Sequence, residues 1–414
     1  MTQQQALKVL FLTSSYPRSH EDTASVFLRY LVEHLADRGL EIHVLAPADT
    51  TSGTTVEGKI AVHRFQYFSS RLQRLAYGSG IMPNLKRSPS LWLQVPFFFV
   101  AMTVALLRLL ITERFDVIHA HWILPQGLVG LFGSFFFGVP LVVTAHGTDA
   151  FALRNRIANY LKRLVIKRSK SWTTNTSVTA DAVLRDSVPF EPQIIPMGVD
   201  ITRFSNGDPI SLRHELPEGE FLVLFVGRLI VNKGCHNLLK AISLLPPGVT
   251  SRATLWIVGD GDERLLLEET AKKLETRDKI RFFGTVSHQR LADFYAAADI
   301  VVVPSVQGSS GEAEGQGIVI LEAFAARACV LATRIGGISD VITDNITGVL
   351  VEPNNSSALA GAMERLLLDS ELRHRLTSNA FAKVSDCYSW ERIAEEFAKL
   401  YREVAFPSVP GAEV

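Results

Sequence analysis

The sequence predicts two α/β domains, each a doubly wound parallel sheet with helices on both faces. Three observations lead there. The 414 residues exceed what a single core organises and suit two domains of about 200 residues each. Short apolar runs of strand length alternate with segments of helical periodicity from end to end, the pattern of βαβ units. The series loosens at Asn206-Gly207-Asp208-Pro209, a turn-rich linker, and restarts at Phe221.

Taken in order, Leu7 to Leu12 reads as a first buried strand directly behind a polar N-terminus with no secretory signal. Phe27, Tyr30, Leu31, His34 and Leu35 recur at three-and-four spacing, the apolar face of a helix packed on a sheet, which Gly39 stops. Further strands are expected at Ile42–Leu45, Phe115–Ala120 and Leu141–Thr144, and in the second series at Leu222–Val226, Leu255–Val258 and Ile300–Val303. The expected domains are 1–205 and 206–385, with a C-terminal helix over 386–404 packing back on the first. Sheets of this kind bind ligands beyond the carboxyl ends of their strands.

Formal charge is zero, but residues 1–200 carry 20 Lys plus Arg against 14 Asp plus Glu, whereas the remainder carries 22 against 28. The basic half is drawn to an anionic surface or substrate. No basic motif interleaved with aromatics occurs, which argues against nucleic acid. Cys235, Cys329 and Cys387 are odd in number and lack metal-ligand spacing, as expected of reduced thiols in a cytoplasmic protein.

Glu314 and Glu322 stand eight residues apart, flanking Gly315-Gln316-Gly317 and the apolar run that starts at Ile318. A carboxylate inside an apolar helix costs free energy unless something pairs with it. The glycines mark a helix N-terminus, which attracts anions. A ligand that is anionic at one end and a polyol at the other, as a nucleotide-sugar is, satisfies both features. Just past the strand Leu222–Val226 come Gly227, Arg228 and Lys233; the glycine permits close approach, and the two cations suit a diphosphate. His146 ends the strand Leu141–Thr144, with Gly147 and Asp149 after it. His119 and His121 share a strand face, but two histidines without a third ligand make a weak zinc site. Gly259-Asp260-Gly261 and Gly336-Gly337 follow strands and read as turns or as backbone contacts to a nucleotide. No Gly-x-Gly-x-x-Gly opens the first helix and no Walker lysine occurs.

Together these pieces resemble the retaining glycosyltransferases of family 4 over nearly the whole chain. The resemblance rests on Phe115–Trp122 with Pro125 and Gly127, His146-Gly147-Thr148-Asp149, Pro196 to Asp200, Gly227–Gly234, Val258 to Gly261, Phe282-Phe283-Gly284, Glu314 to Glu322, Gly336-Gly337 and Thr347-Gly348. It implies a GT-B fold of two Rossmann-like domains facing across a cleft, no metal and no cofactor beyond the nucleotide-sugar co-substrate. It implies roles too. Arg228 and Lys233 would hold the donor diphosphate beside Gly227, Glu322 the ribose, and Glu314 the donor sugar. Gly317 and Ile318 would offer backbone N–H groups, Arg281 and Phe282 would pack beside the base, and His146 would reach the sugar from the first domain. Two departures stand out: Thr23-Ala24-Ser25 replaces a Gly-Gly pair common in the family, and Asp340 a common glutamate.

The implied reaction moves a hexose from a UDP- or GDP-sugar to a saccharide or lipid-linked glycan in cell-surface polysaccharide or glycolipid synthesis. The alternatives are a nucleotide-sugar epimerase or hydrolase of the same fold, which needs no acceptor, and a catalytically inactive membrane-binding scaffold. Two segments bear on the membrane. Leu91 to Ile111 is nearly all apolar, yet Pro96, Arg108 and the strand behind it favour a buried or membrane-grazing helix over a span. Acid-free stretches at 58–112 and 150–180 each carry seven basic residues. In the second, Ile157, Tyr160, Leu161, Leu164 and Val165 fall on one helical face, as in a core-packed helix or an interfacial one. The expected location is the cytoplasm, peripheral on the inner face of an anionic membrane.

Overall fold

The computed structural model describes residues 6–19, 22, 25–49, 52–78, 80–147, 155–185, 190–308 and 314–407. Thr23, Ala24, Thr148 and Asp149, named above, lie outside the described residues, as do Arg154 and residues 311–313.

The chain divides into two compact units: residues 1–196 with 390–414, and residues 197–389. The first unit carries β1 (Lys8–Leu12), β2 (Glu41–Pro47), β3 (Gly53–Glu57), β4 (Ile60–Phe65), β5 (Val117–His121), β6 (Leu141–Ala145), β7 (Ser171–Thr174) and β8 (Gln193–Ile194). Its sheet runs in the order β3-β4-β2-β1-β5-β6-β7-β8, parallel except for the β3–β4 pair. The second unit carries β9 (Phe221–Val226), β10 (Ala253–Val258), β11 (Ile280–Gly284), β12 (Ile300–Val303), β13 (Cys329–Thr333) and β14 (Val349–Val351). Its all-parallel sheet runs β11-β10-β9-β12-β13-β14. That order reverses between β9 and β12, the switch point where doubly wound sheets open a crevice.

The inner strands are buried on both faces, so they read as unbroken apolar runs such as Leu222-Val223-Leu224-Phe225. In the first unit, the helix Val26–Asp37 turns Leu28, Leu31 and Leu35 into the core, a face shifted from the one expected. Tyr30 and His34 instead meet the ring of Trp390, 5.9 and 6.4 Å away between centroids. Trp390 opens the C-terminal helix Trp390–Ala405, which belongs to the first unit. Tyr401 of that helix meets Nδ1 of His119 at 2.7 Å.

The segment after Pro196 belongs to the second unit, so the division falls earlier than residue 205. The Gln316 side chain takes the Met197 N–H at 2.7 Å and donates to the Met197 carbonyl at 3.1 Å. The helix Ile201–Ser205 buries Phe204 against Tyr295. Asn206 to Pro209 is not a loose linker: the Asp208 N–H donates to Asp293, and a Cβ on Gly207 would lie 2.3 Å from the Ala292 carbonyl oxygen. Turn-forming residues are present there because the backbone must hug a helix.

Among the described residues one segment, Pro89–Thr112, is long and apolar enough to cross a membrane by length and composition. Within it the helix Gln94–Thr112 buries Phe98, Met102, Leu106 and Leu110, a four-residue spacing that lays one stripe on the first unit's sheet.

Candidate functional site

The second unit gathers four of the residues singled out by sequence at the carboxyl ends of β9 and β12. Gly227 and Arg228 follow β9, and the single turn Val231–Lys233 places Lys233. Its ammonium lies 2.5 Å from the Glu314 carboxylate, and the Ser305 hydroxyl, just past β12, donates to the same oxygen at 3.3 Å. Burial pushes the Glu314 carboxyl up; Lys233, Ser305 and the charge of Arg228 outweigh it and hold the carboxyl below its ordinary value. Arg228 is exposed and forms no ion pair among the described residues. Two cations facing one carboxylate leave a net positive charge.

Gly317 stands at the N-cap of the helix Ile318–Ala325 with φ +73°, a left-handed conformation that glycine adopts without strain. The first-turn N–H groups of such a helix have no intrahelical acceptor and carry its positive end. Glu314 and Gly317 are close enough that a Cβ on Gly317 would lie 3.7 Å from Glu314 Cγ. The anion-attracting charges and the helix start therefore belong to one local cluster.

Glu322 lies one turn into that helix and is buried. The Tyr295 hydroxyl donates to it at 2.7 Å. Burial raises the carboxyl to about 7, against the opposing effect of the Tyr295 hydrogen bond and the Arg203 charge. A group poised there changes its hydrogen-bonding character near neutral pH, as an acceptor only when ionised.

The glycines after β10 and β13 serve close backbone approach. A Cβ on Gly259, at φ +136°, would lie 1.9 Å from the Gly227 carbonyl oxygen, and one on Gly336 would lie 2.2 Å from that of Glu314. The Gly337 N–H donates to the Glu314 carbonyl at 3.0 Å. These turns therefore brace the loops that carry Arg228 and Glu314.

Arg281 and Phe282 lie within β11, in register with Trp256 and Ile257. The Arg281 guanidinium bonds Glu215 at 2.8 Å and covers the rings of Trp256 and Phe283. Phe282 packs on the second unit's core, and no contact among the described residues links either side chain to Lys233 or Glu314.

His146 belongs to the first unit, at the end of β6. It is buried beside Trp122 and Phe27, with ring centroids 4.8 and 5.4 Å away, and its Nε2 lies 3.3 Å from His121 Nδ1. Burial brings the His146 and His119 imidazoles down to about 3, the latter also through His146, so both are neutral. His119 spends its nitrogens on Tyr401 and the Thr144 hydroxyl, each at 2.7 Å, and has none left for a metal. Among the described residues the group that does have ligand-like proximity is His43, His63 and Glu113. There the Lys8 ammonium already holds Glu113 at 2.5 Å and Glu41 at 2.7 Å.

Sequence reasoning missed three supporting residues: Ser305 on Glu314, Tyr295 on Glu322, and Gln316 on Met197. Only Gln316 carried a signal, a polar side chain set between the two carboxylates and buried in the fold.

Known proteins resemble the chain over both units. Residues 208–383 match the family described as glycosyl transferases group 1, and residues 24–203 match glycosyltransferase family 4. The chain is 32% identical over 310 residues to D-inositol 3-phosphate glycosyltransferase of Actinosynnema mirum, covering 70% of this chain and 72% of that protein. It is 30% identical over 313 residues to an uncharacterized glycosyltransferase of Methanocaldococcus jannaschii, covering 72% and 77%. Among solved structures, sucrose-phosphate synthase of Thermosynechococcus elongatus superposes with a TM-score of 0.76 at 24% identity, covering 96% of this chain and 98% of that one. HepE of Anabaena, solved with UDP and glucose, gives 0.71 at 21% identity, covering 95% and 99%. The chain, with two Rossmann-like parallel-sheet units of the GT-B class, belongs to glycosyltransferase family 4.

Proposed function

We propose that the protein is a retaining hexosyltransferase that takes a hexose from a UDP- or GDP-sugar and passes it to a saccharide or lipid-linked glycan on the cytoplasmic face of a membrane. The observation that carries this reading is the Lys233–Glu314 pair with Arg228 beside it at the start of the helix Ile318–Ala325. Breaking the sugar–phosphate bond develops negative charge on the departing diphosphate. Cations already in place stabilise that charge more than they stabilise the ground state, which is what accelerates the step.

In this reading Arg228 and Lys233 hold the diphosphate without a metal, and Gly317 and Ile318 add backbone N–H groups beside Gly227. Glu314 orients Lys233 and accepts from a sugar hydroxyl, while Glu322 accepts from the ribose. His146 is neutral, so it serves a sugar hydroxyl as a hydrogen-bonding partner. Arg281 and Phe282 border the base. Retention follows from attack by the acceptor hydroxyl on the face the phosphate leaves, with that phosphate taking the proton. Structural neighbours solved with UDP, UDP-glucose or UDP-2-fluoro glucose support a nucleotide-sugar donor, and a relative named for a lipopolysaccharide pathway has the same fold.

A donor panel read by thermal shift tests the proposal, because a ligand that binds only the folded state raises its melting temperature with affinity. A UDP- or GDP-hexose should raise it. If none does, the donor assignment fails. Donor turnover at full rate without any acceptor would instead indicate an epimerase or hydrolase.

A further inference from the structure

Among the described residues the first unit leaves an apolar face exposed, built by three neighbouring helices on one side of its sheet. These are Gln94–Thr112, Leu128–Phe137 and Arg156–Arg168, whose inner residues Phe98, Val129 and Val165 share one core cluster. The first two meet at Gly133, where a Cβ would lie 2.9 Å from Leu110, and at the Phe99 and Phe132 rings, 6.3 Å apart. The third packs against the turn that leads into the second; a Cβ on Gly127 would lie 2.7 Å from Val165.

The outward residues of these helices are large and apolar. On the first, Phe97, Val100 and Ile111 are 55%, 59% and 73% exposed, and on the second Phe135 and Phe136 are 74% and 68% exposed. On the third, Ile157 and Tyr160 are 74% and 64% exposed, so its apolar residues divide between the core and this surface. Scattered exposed apolar residues are ordinary, but a run of them across adjoining helices marks an interaction surface.

Charge identifies what covers it. No Asp or Glu occurs between Gly58 and Thr112, between Val117 and Gly147, or within Arg156–Arg168. Exposed basic side chains border the same helices: Lys86, Arg87 and Arg108 near the first, and Arg163, Lys167 and Arg168 on the third. Aromatic and aliphatic side chains in the middle and lysine and arginine around them, without acid, complement a bilayer interface with anionic headgroups. The buried stripe Phe98, Met102, Leu106 and Leu110 ties the first helix into the sheet core, so the helix offers one face to lipid.

We infer that this three-helix face docks on an anionic bilayer, with Phe135 and Phe136 entering the headgroup–acyl boundary. The inference rests on the membrane part of the reading above and is independent of the donor site. It also shifts the contact: the helix Leu128–Phe137, rather than basic charge alone, supplies the insertion.

Flotation of the full chain with vesicles of phosphatidylglycerol and phosphatidylcholine, against phosphatidylcholine alone, tests it together with the variant Phe135→Ser/Phe136→Ser. Both side chains are exposed, so the variant should keep its fold and its thermal shift with nucleotide-sugar. The wild type should float with the anionic vesicles, and the variant should lose at least about tenfold of that binding. Wild type that does not float, or a variant that floats as well as wild type, overturns the inference. So does a concentration-dependent dimer in sedimentation velocity that the variant dissolves without any vesicle binding, because a second copy then covers the face. Loss of the nucleotide-sugar shift with flotation intact would count against the donor reading alone.

Discussion

Lys233 and Glu314, 81 residues apart in sequence, meet at 2.5 Å with the carboxylate largely buried and held below its ordinary titration range. A buried ion pair is weak evidence for stability, since both charges lose their hydration. It is better evidence for a ligand when a further cation, Arg228, lends its charge to the same carboxylate and forms no ion pair of its own among the described residues.

Removing one member of the pair exposes its cost. Lys233→Ala should destabilise the fold by about 1–3 kcal/mol, because it leaves a buried carboxylate uncompensated. Lys233→Ala/Glu314→Gln should recover part of that loss. The Glu314 carboxyl titrates below its usual 4.5, so the pair's stabilisation is present above that pH and disappears as the pH falls through the depressed value. Urea melts of the four proteins at neutral and acid pH check this; a double variant no more stable than Lys233→Ala would contradict it.

Glu322 should behave oppositely. Its carboxyl is raised from 4.5 to about 7, so its protonated form stabilises the fold fully below the lower value and that stability is lost as pH rises through the upper one. The difference is at most about 3 kcal/mol. Glu322→Gln should flatten the melting profile between about pH 4.5 and about pH 7, the interval over which the folded and unfolded wild-type chains differ in bound protons. A nucleotide-sugar held through its ribose by the ionised carboxylate should bind more weakly below neutral pH in wild type and show little such dependence in the variant. Thermal shifts with and without donor read both effects.

Gln316 joins the start of the second unit to its helix cluster through paired hydrogen bonds to Met197. Gln316→Ala should cost about 2 kcal/mol by leaving the Met197 backbone groups without these partners. Amide exchange at Met197 should quicken in native conditions, while exchange in the β9 and β12 core stays slow. Uniform protection at Met197 would show that the clamp contributes little.

Much of this arrangement is legible in the sequence. Buried parallel strands cannot alternate polar with apolar, so Leu222–Val226 and Ile300–Val303 announced themselves as apolar runs. Arg228, Lys233 and Glu314 stood out because charges beside glycines and strand ends are expensive to place without a use. The partners were less visible. Tyr295 is an unremarked aromatic in an amphipathic helix, and only packing brings its hydroxyl to Glu322. Gly207 and Gly259 looked like open turns because composition reports flexibility, not the carbonyl that a Cβ would strike. Ser25, in the stretch that replaces the family's glycine pair, adopts φ 52°, so the left-handed backbone there does not require glycine.

The central claim is that the cations after β9 hold the diphosphate of a nucleotide-sugar, and Arg228 offers the cleanest test. It is exposed and forms no ion pair among the described residues, and its charge is the last-named of the influences on Glu314, so Arg228→Ala should lower the unliganded melting temperature only slightly. Isothermal titration of the donor that the panel identifies should show affinity falling at least about tenfold in that variant, the loss of a charge-assisted hydrogen bond worth roughly 1.5–3 kcal/mol. Donor affinity equal to that of wild type in Arg228→Ala would contradict the account.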